Sequence, residues 1–259
     1  MPTAKHTERA QHEIEHGRLL AERDPELIWG WATPAGQLRA RRRAGLIADG
    51  AGLRPGMHVL EIGCGTGNFT ALFAGRGANI LAVDISPDLL ERAAARGLPP
   101  EQVRFDCKRF EDCEVDGPFD AVIGSSILHH LDLETALQRI YELLKPGGVM
   151  SFAEPNMLNP QVFAERTLRF LPLFYYVSRD ETAFVRWSLR ALLEDYGFEH
   201  VRITPFDWLH PATPKAVIPV VRGFGGALEA LPLLREFAGS LHICAARPSP
   251  STGSGCRRC

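Results

Sequence analysis

The stretch VLEIGCGTGNFT, Val59 to Thr70, decides the fold. An apolar run ends in glycines at 63, 65 and 67 and leads into NFTALFAGRG, a helix-like segment closed by glycine. Strand, glycine turn and helix open a βα unit whose loop lets a ligand approach the main chain. The G-x-G-x-G spacing separates this loop from two others. A dinucleotide fingerprint needs its third glycine where Asn68 stands, and a P-loop ends in Lys followed by Ser or Thr, which this loop lacks. The parts that hold phosphate are therefore missing. What remains admits an uncharged nucleoside and a small carboxylate.

Outward from the loop, NILAVDI is a second strand ending at Asp84, 21 positions after Gly63. An acid there can accept both ribose hydroxyls. The helix start near Thr66 to Asn68 can stabilise a carboxylate through free N–H groups. Nucleoside, ribose diol and amino-acid carboxylate together describe S-adenosyl-L-methionine.

PDLLERAAARG opens with proline and closes with glycine, as helices do. VRFDC and FDAVIGS are a third and fourth strand, LETALQRIYELL a helix, KPGG a turn and VMSFAE a fifth strand. Apolar strands separated by helices predict a parallel sheet covered on both faces. After Glu154 an irregular, proline-rich insert runs to about 183. VRWSLRALLEDYG is then a helix, HVRITPFD a sixth strand, 208–239 a second insert, and SLHICAARP the last strand. Residues 1–36 are expected as an N-terminal helical segment, with a helix from about Gln37 to Ala48. The fold domain covers 37–247, and the small polar stretch 248–259 is expected to be disordered.

Four segments in order, VLEIGCGTGNFT, AVDISPDLL, GPFDAVIGSSILHHL and LKPGGVMSFAEPN, resemble the class I S-adenosylmethionine-dependent methyltransferases. The likeness is greatest to the small-molecule branch that includes the ubiquinone and menaquinone enzymes, and it spans roughly Arg39 to Asn156. It implies an α/β, Rossmann-like fold: a seven-stranded, mostly parallel sheet with an antiparallel last strand, helices on both faces and helical cap inserts. It also implies roles for residues. Glu61, Gly63 and Gly67 line the methionine end, Gly65 is a further cofactor-binding glycine, Asp84 binds ribose, Ile85 packs on adenine and Ser125 faces the cofactor. Arg39 is the nearest match to an arginine beside the methionine carboxylate, although Arg41, Arg42 and Arg43 crowd it. The adenine edge fits two registers, Asp106-Cys107 or Arg109-Phe110. The second keeps Glu111-Asp112 in place and is preferred.

The function expected is methyl transfer by in-line displacement to a small, hydrophobic or aromatic acceptor, lipid-like or quinone-like. His129, His130 and Glu154, at the ends of the fourth and fifth strands, are candidate general bases for a hydroxyl acceptor. The apolar stretches FLPLFYY and VIPVV are candidate lids. The alternative is a cofactor-binding sensor or partner without methyl transfer. SSIL stands where DNA amino-methylating enzymes carry N-P-P-Y or D-P-P-Y, and a net charge of −2 offers no field for nucleic acid. No apolar run spans a membrane, though peripheral contact stays open. Six scattered cysteines and a start without a signal-like core point to the cytoplasm. Cys256 and Cys259 have no second pair near them, so no metal site is expected. The oligomeric state is not readable from these features.

Overall fold

The computed structural model describes residues 4–112, 114–168 and 183–250. The order of elements is α1 (Ala4–Ala21), α2 (Pro25–Ile28), α3 (Pro34–Ala51), β1 (His58–Ile62), α4 (Asn68–Ala74), β2 (Asn79–Asp84), α5 (Pro87–Ala94), β3 (Val103–Cys107), β4 (Phe119–Ser125), α6 (Leu133–Leu143), β5 (Leu144–Pro155), α7 (Pro160–Thr167), α8 (Arg186–Asp195), β6 (Glu199–Phe206), α9 (Ile218–Ala230) and β7 (Ser240–Ala246). The seven strands form one sheet in the order β3-β2-β1-β4-β5-β7-β6. β7 runs antiparallel to both β5 and β6, and the other pairs are parallel.

Side chains alternate across a strand, so one apolar strand feeds two cores. Leu60 and Ile62 of β1 and Leu81 and Val83 of β2 join Leu137 and Ile140 of α6 and Leu189 and Leu193 of α8 on one face. Val59 and Ile80 join Ile47 and Ala48 of α3, Phe73 of α4 and Leu90 of α5 on the other. Near-continuous apolar strands are what a sheet buried on both faces requires. Glu61 alternates onto the second face and is 1% exposed there.

Two boundaries differ from the sequence reading. Helix α3 starts at Pro34, so the expected division at 36 falls inside it. The reason is local: Thr33 Oγ1 accepts the Gly36 N–H at 2.9 Å, and proline fits the first helical turn. The helix ends where Gly52 takes a left-handed φ of 63°. KPGG lies within β5 rather than before it. Lys145 Nζ reaches Asp120 Oδ1 at 2.8 Å, and the Gly147 N–H donates to the Arg247 carbonyl, while the β4–β5 register shifts across the irregularity.

The first insert carries α7. FLPLFYY lies outside the described residues, as do residues 251–259 of the expected disordered tail. The second insert carries α9, which VIPVV opens. Ile218 and Val221 there pack on Ala35, Leu38 and Leu209. No helix among the described residues is long and apolar enough to cross a membrane.

Candidate active site

A cavity of about 680 Å³ opens over the carboxyl ends of β1, β2 and β4, where open α/β sheets place their ligands. Its floor is the loop after β1. Gly63 holds a φ of 66°, and a Cβ added there would stand 2.4 Å from the Ile127 side chain. Only glycine meets both demands. Above Gly65 the space is open: a Cβ would meet nothing nearer than the Trp29 ring at 3.5 Å. Beside the loop, Asn68 borders the cavity with its Nδ2 buried and without a hydrogen-bond partner.

Asp84 ties the loop to the second strand. Its Oδ2 accepts the Gly65 N–H at 2.7 Å and its Oδ1 the Ser86 N–H at 2.9 Å. Burial pushes its carboxyl above the ordinary aspartate value, opposed by the Ser86 and Gly65 bonds. Each carboxylate oxygen has a second lone pair, so both can still meet a diol. Ile85, Arg109, Phe110, Ser125 and Arg39 also border the cavity, as do His129 and His130. Asp106 and Cys107 pair with β2 and do not border it.

Three expected site residues sit elsewhere. Gly67 turns toward α5, where a Cβ would stand 3.0 Å from that of Ala93. Glu61 lies under the loop, with Oε2 buried and unpartnered. Burial raises its carboxyl to about 8; the Thr70 hydroxyl opposes this and the Asp84 charge adds to it. Glu154, expected as a second base on the rim, is instead fully buried beneath it. Its Oε1 accepts the N–H groups of Ile127 and Leu128, each at 2.9 Å, and its Oε2 lies 2.6 Å from His129 Nδ1. Burial works to raise its carboxyl, but the His129 bond and charge and the two N–H groups overcome this and hold it low. Glu154 thus anchors the turn that carries His129.

The roof comes from elements the sequence reading did not assign to the site. Arg9, Glu13 and His16 of α1, with Trp29 and Trp31 near α2, close one side. Arg9 donates to the His129 carbonyl at 3.2 Å, and Glu13 Oε2 lies 3.1 Å from His130 Nδ1. Glu26 of α2 accepts the Thr66 hydroxyl at 3.0 Å and pairs with Arg96, which pins α2 to the glycine loop. On the far side, Asp207 follows β6 at a φ of 79° and pairs with Arg39 at 2.8 Å. A strained non-glycine residue of this kind costs roughly 1–3 kcal/mol and persists where packing enforces it. Trp208, Leu209 and Val162 of α7 make this side apolar. Of VIPVV, no residue borders the cavity.

Residues 59–148 match the family model described as a methyltransferase domain. The chain is 30% identical over 186 residues to the O-methyltransferase cnsE of Penicillium expansum, covering 67% of this chain and 65% of that one. It is 34% identical over 166 residues to the ubiquinone biosynthesis O-methyltransferase of Xanthomonas axonopodis pv. citri, covering 62% of this chain and 67% of that one. Against further ubiquinone O-methyltransferases the match covers only 47% of their length, so the chain spans about half to two thirds of the curated relatives it matches. The fold superposes on the N-methyltransferase NodS of Bradyrhizobium japonicum, solved with S-adenosyl-L-homocysteine. The TM-score is 0.63 at 15% identity, over 92% of this chain and 100% of that one.

Proposed function

The chain belongs to the S-adenosylmethionine-dependent methyltransferases, and from that premise we propose that it moves a methyl group from S-adenosyl-L-methionine to a small, largely apolar acceptor. One observation carries the reading: the glycine loop and Asp84 meet at the floor of a single large cavity, joined by the Gly65–Asp84 hydrogen bond. The residues present suit the donor. An open cradle lies over Gly65, and a buried amide at Asn68 lacks a partner. Asp84 would hold the ribose diol, and Ile85, Arg109 and Phe110 the adenine. Gly63, Gly65 and Asn68 would hold the amino-acid end, with Ser125 facing it, while Arg39, expected beside the methionine carboxylate, is paired with Asp207.

When bound, the donor supplies a methyl group already activated by its sulfonium. The chain supplies orientation and a dry cavity, which is most of what an in-line displacement needs. For a hydroxyl acceptor a proton must also leave. His129 fits that role because Glu154 commits Nδ1, so the ring would act through Nε2. Glu154 is then a positioning residue rather than a base. Trp31, Trp208, Leu209 and Val162 favour an apolar or aromatic acceptor body. Outside the cavity, Val220, Phe224, Leu231 and Leu233 are exposed on the second insert. The acids of that insert are engaged elsewhere, Glu229 by Arg42 and Glu236 by Arg186. With Lys215 and Arg222 exposed on the same insert, this apolar face supports peripheral lipid contact and hence a lipid-like acceptor.

The test is calorimetry with S-adenosyl-L-methionine and S-adenosyl-L-homocysteine on the wild-type chain and Asp84→Ala, followed by turnover with phenols, quinols and isoprenoid acceptors. Binding that Asp84→Ala weakens at least about tenfold, together with turnover, supports the reading. Binding without turnover on the whole panel favours a sensor or partner protein. No heat with either compound removes both.

A further inference from the structure

We propose that Cys244, His242 and Ser151 bind one soft, monovalent metal ion, Cu(I), at a site separate from the cavity. The proposal is independent of the methyl-transfer reading, and none of the three residues borders the cavity. Residues two apart share one face of a strand, so His242 and Cys244 of β7 point the same way. Ser151 of β5 stands directly opposite Cys244 in the antiparallel register. Their polar atoms close a triangle. Ser151 Oγ is 3.2 Å from His242 Nε2 and 3.4 Å from Cys244 Sγ, and that Sγ is 3.2 Å from Nε2. Gly50 of α3 covers the triangle. A Cβ there would stand 2.4 Å from Cys244 Sγ and 2.8 Å from both His242 Nε2 and Ser151 Oγ, so the three atoms converge where the helix carries no side chain.

Thiolate and imidazole are ligands for soft and borderline ions. The centre of such a triangle lies about 1.9 Å from each corner, and metal bonds to N, O and S run about 2.0–2.3 Å, so a small spreading of the side chains seats an ion. His242 has its lone pair to give because it is neutral: burial, then the Arg202 and Arg43 charges, lower it to about 4 against the opposing charge of Asp49. Burial keeps Cys244 a thiol in the free protein. On binding, a Cu–S bond replaces the S–H bond, the proton leaves to solvent, and the copper keeps its oxidation state.

Charge selects the ion. Cys244 is the one ligand that becomes anionic, and the charges of Arg202 and of Arg43, which itself borders the cavity, already act on His242. A monovalent ion leaves the site neutral, whereas a divalent ion adds a charge that both arginines oppose. Among the described residues no three His, Cys, Asp or Glu side chains gather round a point, and here a hydroxyl completes the set. Entry is open at one side. Ser151 and Cys244 are buried, but His242 is half-buried, and Thr204, its neighbour across β6, is exposed. The sequence reading expected no metal site, since Ser151 lies 91 positions from His242 and only the sheet brings them together.

The test uses the full chain with Cys107, Cys113, Cys256 and Cys259 all changed to serine, which leaves Cys64 and Cys244. Cu(I) is titrated without oxygen against a chromogenic chelator, with Zn(II) in a parallel arm. This parent should hold one equivalent of Cu(I), at least about 100-fold more tightly than after Cys244→Ala and at least about tenfold more tightly than after His242→Gln. Cys64→Ala in the same parent should keep the ion. X-ray absorption of that single-thiol form should show sulfur and imidazole on the copper, which decides the matter even where a change at 242 or 244 does not fold. Affinity that Cys244→Ala leaves unchanged overturns the proposal, as does a copper spectrum without imidazole. Tighter binding of Zn(II) than of Cu(I) by the parent overturns it as well.

Discussion

At the scale of the residue, Asp84 performs two tasks with one carboxylate. It holds the glycine loop through the Gly65 N–H and presents its remaining lone pairs to the cavity. Asp84→Ala should therefore weaken the donor by about 10- to 100-fold in calorimetry, through lost charged hydrogen bonds and a loosened loop. His129→Ala should behave differently. His129 borders the cavity, and as the proposed base it acts on the acceptor, so kcat should fall at least about tenfold with a hydroxyl acceptor while donor affinity holds. Glu154→Gln should shift the pH profile of kcat, because it removes the charge behind Nδ1. Unchanged turnover across pH in both variants would remove the base role. Gly63, Gly65 and Asp84 were legible in the sequence because a tight turn and a strand end constrain residue type locally. Arg43 was not. Arg39, Arg41, Arg42 and Arg43 look alike in a string; packing separates them, leaving Arg41 in solvent, Arg42 on Glu229, Arg39 on Asp207 and Arg43 buried. Asp207 was equally silent, since its positive φ follows from contacts made after β6.

At the scale of the element, α1 closes one side of the cavity. Its Gly17 fits against Ser86, the residue whose hydroxyl caps α5. A Cβ at position 17 would stand 2.5 Å from Ser86 Oγ and 2.7 Å from Ser86 Cβ. Gly17→Ala thus sets two effects against each other. Alanine favours the isolated helix by roughly 1 kcal/mol, but the clash pushes α1 off its seat. The seat should lose, because backbone helicity returns nothing to the cavity. Donor affinity should fall about tenfold, with faster hydrogen exchange across α1 and a melting temperature of the sheet domain within about 2 °C of wild type. Unaltered affinity would show that α1 is not part of the roof. The strands and α3 to α6 were readable because each carries its own apolar period. The roof was not, because α1 is polar and charged and takes its meaning only from what lies beneath it. VIPVV shows the reverse error: an apolar stretch outside the sheet rhythm packs on α3 and Leu209 and leaves the roof to Trp29, Trp31 and Trp208.

At the scale of the whole molecule, two features reach beyond the site. The exposed apolar face of the second insert predicts sedimentation with vesicles rich in anionic phosphatidylglycerol, weaker with neutral phosphatidylcholine, and lost in Phe224→Glu with Leu233→Glu. Equal recovery in the supernatant for all of these would leave α9 without a lipid role. The second feature ties ionisation to folding. Alternation along β1 forces Glu61 into the core between α3 and the sheet, where its carboxyl is raised to about 8 against an ordinary 4.5. The folded chain then binds more protons than the unfolded chain between those two values. Stability from this group is present in full below pH 4.5 and is lost as pH rises through 8. Glu61→Gln keeps the shape and cannot ionise. Its melting temperature should decline less than that of the wild type between pH 6 and 9, and the two curves should converge toward low pH. The apo protein is the right sample, since a bound cation would itself bias the carboxylate. Parallel curves over that range would mean that Glu61 reaches solvent or a partner on ionising, and that its burial is less complete than the packing of β1 requires.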